Sequence, residues 1–202
     1  VKDSDRLPVW AGELYLEFHR GTLTAQSRNK KYNRKSEYLY QDAETLGVLA
    51  ELLASKEYPS DKLLAGWKLI LLNQFHDIIP GSSIAAVYED SKEQYELVAK
   101  EGAEMVNESE SAVASLINAD GRIIVVFNTL GFARSSVVIA DTPEKREFHI
   151  EDMDGNVMPS QITYDGKLAF FAADVPAKGY KTFRIVDSAV ESADSVKSGN
   201  NE

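Results

Sequence analysis

The pattern of apolar and polar positions divides the chain into a helical region and a β region. Between residues 24 and 118, proline and glycine are scarce and the helix formers Ala, Leu, Glu and Lys are abundant. The pattern predicts a first helix from residue 24 or 25 to 54, a second after Pro59, and a third from about 84 to 117. An apolar stripe in the first helix is formed by Leu39, Leu46, Leu49 and Leu53. Three amphipathic helices with short connections indicate a three-helix bundle.

The start of the second helix has its own signals. The sequence Tyr58-Pro59-Ser60-Asp61 contains a signal that ends one helix and a signal that begins the next. Ser60 is expected to cap the helix, because its side-chain oxygen is able to accept a backbone hydrogen bond. Asp61 is favourable at the positive end of the helix dipole. A turn is predicted beyond this helix, at residues 80–83 (PGSS).

Short apolar runs separated by turn residues follow the helices. The candidate strands are 123–127, 135–140, 145–150, 161–164, 168–173 and 181–186. Turn signals lie between some of them, at residues 154–156 (DGN) and 165–166 (DG). Strands at this spacing predict an antiparallel sheet or part of a sandwich. The expected fold class is therefore α+β, a three-helix bundle followed by an antiparallel β-sandwich-like region.

The two end segments of the chain differ from these regions. Apolar Leu14, Leu16 and Phe18 alternate with other residues, and this period of two predicts a strand that ends near Gly21. Residues 188–202 are rich in Ser, Asp, Glu and Asn and have few apolar positions. Such a composition predicts a disordered tail or a linker.

Composition argues against several classes of protein. The formal net charge of −10 and the sequence pI near 4.9 argue against the broad basic surface of non-specific nucleic-acid binders. No apolar run approaches the ~20 residues that a membrane-spanning helix needs. The chain has no cysteine, which excludes disulfides and thiolate metal sites. We therefore expect neither nucleic acid nor a membrane as a partner.

The most informative stretch for chemistry is residues 73–83, NQFHDIIPGSS. Its neutral imidazole, on His76, is a good ligand for Zn²⁺. The adjacent Asp77 is suited to hold a substrate hydroxyl or to orient a metal ligand. The alternative interpretation is structural, with Asp77, Ser82 and Ser83 capping helix ends and His76 packed against the bundle. Pattern alone favours the structural use, because histidine has many roles besides metal binding.

A second group of candidates lies in the segment predicted as a strand. Glu13 and Glu17 form a conceivable acid/base pair, and His19 and Arg20 follow them. In a regular strand Glu13, Glu17 and His19 share one face. Spacing alone favours a solvated face with an Arg–Glu ion pair.

A third candidate is the basic run at residues 28–35, RNKKYNRK. A basic patch on a helix is one way to bind phosphate or nucleic acid. This patch is isolated in an acidic chain and contains one aromatic residue. We interpret it as a solvated face, or as a surface that pairs with acidic residues of another domain.

Three strings of residues resemble bacterial-type α-mannosidases of glycoside hydrolase family 38. Residues 13–26, ELYLEFHRGTLTAQ, are similar to the segment that joins the family's catalytic domain to its middle domain. Residues 73–83 resemble its signature of Gln, an aromatic or His, His and Asp, followed by Gly and a small hydroxylated residue. Residues 124–130, IVVFNTL, resemble the opening strand of its C-terminal β-domain. The strings occur in the family's order, and the resemblance covers about residues 7–186.

The resemblance implies a function for two residues of the signature. The family's members are retaining, exo-acting α-mannosidases that use one divalent metal ion, usually Zn²⁺. By motif match, His76 is the metal ligand that the middle domain supplies, and Asp77 contacts hydroxyls of the terminal mannose. The implied substrate is a mannose-containing oligosaccharide, and the implied setting is cytoplasmic glycan breakdown.

The resemblance also implies domain limits and a missing part. Residues 1–26 are expected to end the catalytic domain, 27–119 to form the middle domain, 120–187 to open the β-domain and 188–202 to form the disordered tail. None of His19, His76 and His149 is followed two residues later by Asp, so the family's His-x-Asp metal pair is absent. We assign no catalytic residue to this chain. We expect the catalytic domain to precede residue 7, and the chain alone to be inactive and to bind Zn²⁺ weakly.

Two other functions compete with this interpretation. One is a non-catalytic carbohydrate-binding module, which predicts exposed aromatic side chains on the β region at Tyr164, Phe170 or Tyr180. The other is a helical scaffold that forms homo-oligomers, which predicts exposed apolar stripes and a concentration-dependent mass.

Overall fold

The computed structural model describes residues 8–12, 17–143 and 147–188. A short 3-10 helix, Glu17–Leu23, precedes three α-helices. These are α1 (Ser27–Ala54), α2 (Ser60–Asn73) and α3 (Ala85–Ala114). The three predicted helices are therefore confirmed, with ends that differ from the predicted ones by at most three residues. None of the helices in these described ranges has a stretch apolar enough to cross a lipid bilayer.

The strand predicted from the alternation at residues 14–18 is wrong where the structure describes it. Residues 17–23 form a 3-10 helix, and residues 13–16 lie outside the described part of the chain. A period of two yields a strand only when a neighbouring strand takes up its backbone hydrogen bonds. Here the N–H groups of Thr24 and Ala25 instead donate to Gly21 O, at 3.1 and 2.7 Å, which tightens the chain ahead of α1.

Ser60 does not cap α2, so that prediction is also wrong. The helix begins one residue earlier than the pattern suggests, with Pro59 at the N-cap and no side-chain capping bond. Pro59 O accepts the hydrogen bond of Leu63 N at 3.0 Å. A capping side chain must stand at the non-helical N-cap position, which Ser60 does not occupy. Asp61 does lie in the first turn, as predicted.

The helices approach one another closely around Tyr40, a fully buried residue of α1. A Cβ atom at Gly66 of α2 would collide with the Tyr40 ring, and one at Gly102 of α3 would lie 2.9 Å from Tyr40 Cε2. The Trp67 ring meets the Tyr40 ring edge-on, with centroids 5.7 Å apart. Because glycine in a helix interior costs about 1 kcal/mol relative to alanine, both glycines are best explained by this close packing.

Residue contacts divide the chain into two compact units. One contains the described residues of Val1–Glu44 and Pro59–Asn107, and the other contains those of Thr45–Tyr58 and Glu108–Glu202. The first unit holds most of the helical core and all of the candidate site described below. The domain limits implied by the resemblance, at residues 26, 119 and 187, stay predictions. Of the predicted tail, only residue 188 lies within the described part of the chain.

The β region forms two antiparallel sheets. The strands are β1 (Arg122–Asn128), β2 (Arg134–Ala140), β3 (His149–Asp152), β4 (Val157–Met158), β5 (Ser160–Ile162), β6 (Leu168–Val175) and β7 (Gly179–Val186). One sheet has the order β1-β7-β3-β4, and the other has the order β2-β6-β5. Phe170 of β6 and Phe183 of β7 meet edge-on in the core, with ring centroids 5.2 Å apart. Core rings contributed by both sheets confirm the sandwich-like prediction.

The β region differs from the prediction in several details, and some strand ends are shifted by one or two residues. Strand β4 has two residues and was not predicted, because a segment so short carries no readable period. The third strand begins at His149 rather than at 145, and residues 144–146 lie outside the described part of the chain. The predicted turn at 154–156 is confirmed, and the Asp152 carboxylate accepts hydrogen bonds there from Asp154 N and Asn156 N, both at 3.0 Å.

Candidate functional site

The signature segment forms a compact turn directly after α2. Gln74 occupies the C-cap of α2. Phe75 O then accepts hydrogen bonds from Ile78 N at 2.9 Å and Ile79 N at 3.1 Å. Gly81 has a φ of +89°, a conformation that other residues adopt only with strain. The segment therefore reverses direction within a few residues, before α3 begins.

His76 and Asp77 project from this turn into solvent. Their side chains are 73% and 64% exposed, and His76 Nε2 lies 3.2 Å from Asp77 Oδ2. The Phe75 ring lies beside the imidazole, with centroids 4.3 Å apart. His76 is therefore not packed against the bundle, as the structural alternative required. An exposed imidazole and carboxylate side by side are available to groups that are not in this chain.

The turn beneath this pair is held by three consecutive carbonyl groups, each bonded to a different side chain. Asp77 O accepts from Ser83 Oγ at 2.5 Å, and Ile78 O accepts from Tyr88 Oη at 3.2 Å. Ile79 O accepts from Lys30 Nζ at 2.8 Å. The hydroxyls of Ser82 and Ser83 thus bond within the turn and do not cap a helix. These bonds fix the backbone that carries His76 and Asp77.

A polar cluster anchors the other end of the signature segment to α1. Gln74 Nε2 donates to Asn33 Oδ1 and to Glu37 Oε1, both at 2.9 Å. Tyr95 Oη of α3 donates to Asn33 Oδ1 at 3.2 Å. Burial, and then the charge of Glu37, raises the pKa of the Tyr95 phenol, so it stays a donor at neutral pH. Asn33 and Glu37 are four residues apart on one helix face, which was the only sequence signal for this cluster.

At Lys30 the basic run at residues 28–35 is not the solvated face that the sequence suggested, whereas Arg34 is exposed as expected. Lys30 is partly buried and bonds to backbone carbonyls, and that burial lowers the pKa of its ammonium. Arg34 pairs with Glu37 of its own helix at 2.8 Å and lies over the Tyr38 ring. Lys30 therefore serves the packing of α1, while Arg34 forms an ion pair on the exposed face of the helix. A lysine that binds carbonyls cannot be told from a solvated one by composition, so sequence reasoning missed it.

The candidates in the predicted strand are only partly described. Glu13 and the side chain of Glu17 lie outside the described residues. His19 and Arg20 are exposed residues of the 3-10 helix. The argument that Glu13, Glu17 and His19 share one strand face no longer applies. Neither the solvated face with an Arg–Glu ion pair, which the spacing favoured, nor the acid/base alternative is tested by the described residues.

The donor atoms of this chain fit part of a metal site. In the described ranges, no three His, Asp or Glu side chains are grouped so as to hold a metal ion. A solvent-exposed imidazole with a carboxylate beside it is nevertheless a donor set that a divalent cation such as Zn²⁺ accepts. Such a site needs three or four ligands from the protein, so the further ligands would have to come from other polypeptide. The roles of His76 and Asp77 stay predictions.

The carbohydrate-binding module and the oligomerising scaffold each require exposed side chains, and these are present only in part. Tyr164 is fully exposed and Tyr180 is 39% exposed, but Phe170 is 1% exposed and lies in the core. The expectation that Phe170 offers a sugar-binding surface is therefore wrong, because its ring packs on Phe183. Exposed leucines do occur on α2, at Leu64 and Leu71.

Known proteins similar to this chain agree with the resemblance. The family described as the α-mannosidase middle domain matches residues 17–113. α-Mannosidase 2C1 of Mus musculus is 38% identical over 144 residues, and an α-mannosidase of Saccharomyces cerevisiae is 37% identical over 135 residues. The matches cover 70% and 65% of this chain but span only 14% and 12% of the relatives' lengths.

A solved structure shares the fold. An Enterococcus faecalis protein in glycosyl hydrolase family 38 superposes with a TM-score of 0.70 at 18% identity. The superposition covers 96% of this chain and 28% of that protein. At this identity the likeness concerns the fold, and it includes the helices together with the β strands that follow. Residues 17–113 therefore belong to the α-mannosidase middle-domain family.

Proposed function

We propose that this chain is the middle region of a longer α-mannosidase and that it supplies His76 and Asp77 to the active site. The proposed reaction is the metal-dependent removal of terminal α-linked mannose from oligosaccharides, with retention of configuration. One observation carries the proposal: the exposed pair, 3.2 Å apart, stands on a turn whose backbone is bonded at three successive carbonyls. A loop with only a structural role has no need to hold an exposed histidine so rigidly.

The two side chains have different proposed roles. A neutral His76 imidazole offers one nitrogen lone pair and would be one ligand of the divalent ion. Asp77, when ionised, is an acceptor only, and would take hydrogen bonds from hydroxyls of the terminal sugar. A bound divalent ion supplies Lewis-acid and orienting chemistry. Phe75 is 56% exposed beside the imidazole and offers an apolar surface at the rim of the site.

The chain alone is proposed to be inactive. It offers one imidazole and one carboxylate at the site, while a metal-dependent retaining glycosidase also needs a nucleophile and an acid/base carboxylate. These groups and the other metal ligands would come from the catalytic domain of the same polypeptide. A cytoplasmic location is part of the proposal and rests on the resemblance alone.

The test compares variants of the full-length protein that contains this chain. We expect His76→Ala to lose bound zinc and to reduce p-nitrophenyl α-mannoside turnover by more than ~100-fold, because loss of even an outer-shell partner costs roughly 10–100-fold. Asp77→Asn should keep the metal and lower kcat/KM by about 10-fold or more, the worth of one charged hydrogen bond. The matched controls, Lys68→Ala and Asp90→Asn, change exposed residues of α2 and α3 and should leave both readouts unchanged.

Two results would contradict the proposal. Full retention of zinc and activity by His76→Ala would remove the metal role. Mannoside hydrolysis by the purified 202-residue chain would show that the active site is complete without another domain.

A further inference from the structure

One side chain, Lys30, bonds both to the His76 turn and to the segment that enters α1. Its Nζ donates to Ala25 O at 2.6 Å and to Ile79 O at 2.8 Å. Ala25 lies just before α1, and Ile79 lies three residues after His76. One ammonium group therefore joins two backbone segments that are far apart in sequence.

The same two segments also touch directly. A Cβ atom at Gly81 would lie 2.8 Å from Ala25 Cβ and 3.0 Å from Ala25 O, so only glycine fits here without a shift. The close approach leaves the Ala25 and Ile79 carbonyls near each other, and Lys30 supplies N–H groups to both. Backbone carbonyls withdrawn from water without a donor are costly.

We propose that Lys30 is a positioning residue of the candidate site, which sets the place of His76 by tying its turn to the segment that enters α1. It touches neither sugar nor metal in this role. The proposal rests on the proposed function in one respect, since positioning matters for the reaction only if His76 binds the metal. It goes beyond that function because neither the signature nor the basic pattern of residues 28–35 assigns Lys30 a part in the site.

The chemistry of Lys30 suits this role better than that of the other two anchors. Ser83 and Tyr88 are neutral donors, and each bonds a turn carbonyl to a side chain close by in sequence. A hydrogen bond from a charged donor is stronger than one between neutral groups. Lys30 also spans 49 residues of sequence to reach Ile79, so it holds the turn against an element outside the turn. Loss of Lys30 should release the turn from α1, so that the hydrogen bonds within the turn open more often.

The first test measures the turn itself by amide hydrogen exchange in the 202-residue chain, without metal or substrate. The informative amides are those of Ile78, Ile79 and Gly81, which bond within the turn. Lys30→Met keeps the apolar stem and removes the donor. We expect faster exchange at these amides and no change at Phe171 N, which bonds to Pro159 O in the β region. Lys31→Met, the same charge change at an exposed neighbour, should have no effect. Unchanged exchange in Lys30→Met overturns the proposal, whether or not the full-length protein is an α-mannosidase.

The second test measures zinc affinity of the full-length protein by chelator competition. We expect Lys30→Met to weaken zinc binding by roughly 10-fold or more, the usual effect of losing a group that orients a metal ligand. Lys30→Arg, which keeps the positive charge and the N–H donors, should restore part of the affinity. Ala50→Gly, a buried position of α1 away from the turn, supplies a variant with a similarly lowered melting temperature.

The outcomes separate the two proposals. If His76→Ala loses zinc while Lys30→Met binds it as tightly as the unmodified protein, Lys30 only stabilises the bundle and the positioning role is wrong. Equal losses in Lys30→Met and Ala50→Gly lead to the same conclusion. If His76→Ala itself retains zinc, the proposed function fails, and the exchange data alone decide whether Lys30 holds the turn.

Discussion

Gln74 donates its side-chain amide to Glu37 at 2.9 Å and so ties the C-terminal end of α2 to the middle of α1. The same amide reaches Asn33 at 2.9 Å. Two acceptors on α1 thus share one donor, the side chain of Gln74, which lies two positions before His76. The apolar periods of the sequence do not predict this contact. It nevertheless holds the first residues of the signature segment against α1.

The first prediction concerns this contact. Gln74→Met keeps the length of the side chain and removes the amide, which leaves Asn33 Oδ1 and Glu37 Oε1 without that donor. We expect the free energy of unfolding to fall by about 1–3 kcal/mol, the net contribution of the two lost hydrogen bonds. Urea unfolding of the 202-residue chain measures it. Gln41→Met, the same change at an exposed position of α1, should stay within about 0.5 kcal/mol of the unmodified chain.

The second prediction concerns Gly66, whose missing side chain makes room for the ring of Tyr40. In most helices Gly→Ala stabilises by about 1 kcal/mol. At Gly66 the added methyl group would meet the Tyr40 hydroxyl and ring, so Gly66→Ala should instead destabilise by about 1–3 kcal/mol. Thermal and urea unfolding give the sign of the change in stability. A gain means that helix propensity dominates, and a loss means that the collision with Tyr40 dominates.

Two variants sharpen the Gly66 experiment. Gly131→Ala adds a methyl group where no atom lies within 4 Å, and it should change stability by less than about 0.5 kcal/mol. Tyr40→Phe removes the hydroxyl, which is buried without a hydrogen-bond partner among the described residues. The double variant Tyr40→Phe/Gly66→Ala should therefore be more stable than the sum of the single effects implies. Strict additivity would contradict the proposed collision.

The third prediction concerns the pH dependence of the β region. His149 is buried, and its two ring nitrogens face acceptors, with Nδ1 2.8 Å from Ser188 O and Nε2 2.6 Å from Glu151 Oε1. Only the protonated imidazole donates to both. The bond to Ser188 O, with that to Glu151 and its charge, raises the pKa of His149 above its ordinary value of 6.5, although burial opposes the shift.

The sign of the effect on stability follows from this raised pKa. A group with a higher pKa in the folded chain stabilises it fully below the unfolded pKa, and the contribution is lost as pH rises through the folded pKa. Urea unfolding between roughly pH 5.5 and 8.5 should therefore show His149 stabilising the chain most at the acidic end. The difference between the unmodified chain and His149→Gln should shrink as the pH rises. A difference that grows with pH would mean that the imidazole is neutral in the folded chain.

Much of the fold was predictable from local patterns. The leucine stripe predicted α1, and the apolar runs predicted β1 and β6. These predictions succeeded because buried positions recur at the period of a helix or a strand. The same logic failed at Glu17–Leu23, where an alternating pattern lies in a 3-10 helix. Periodicity reports which side chains are apolar, but it does not report whether a neighbouring strand exists to share the backbone hydrogen bonds.

The candidate site divides in the same way. His76 and Asp77 were identified from the residues of the signature and its resemblance to a family, and both turned out to be exposed. Their supports, Lys30, Asn33 and Glu37, were not identified, although all three lie in or next to a basic run that drew notice for its charge. A side chain that binds a distant carbonyl or amide has the same composition as one that faces water.

Local patterns in the sequence were enough to predict the three helices, the sandwich-like β region, and the position of the His76–Asp77 pair after the second helix. Apolar period, turn residues and motif are local properties, read within a few neighbouring positions. The exposure of the pair, and the bonds that Lys30 and Gln74 make to hold its segment against α1, could be seen only in the folded chain. Those bonds join residues 37 to 49 positions apart, and only the packing of whole helices brings such partners within hydrogen-bond distance.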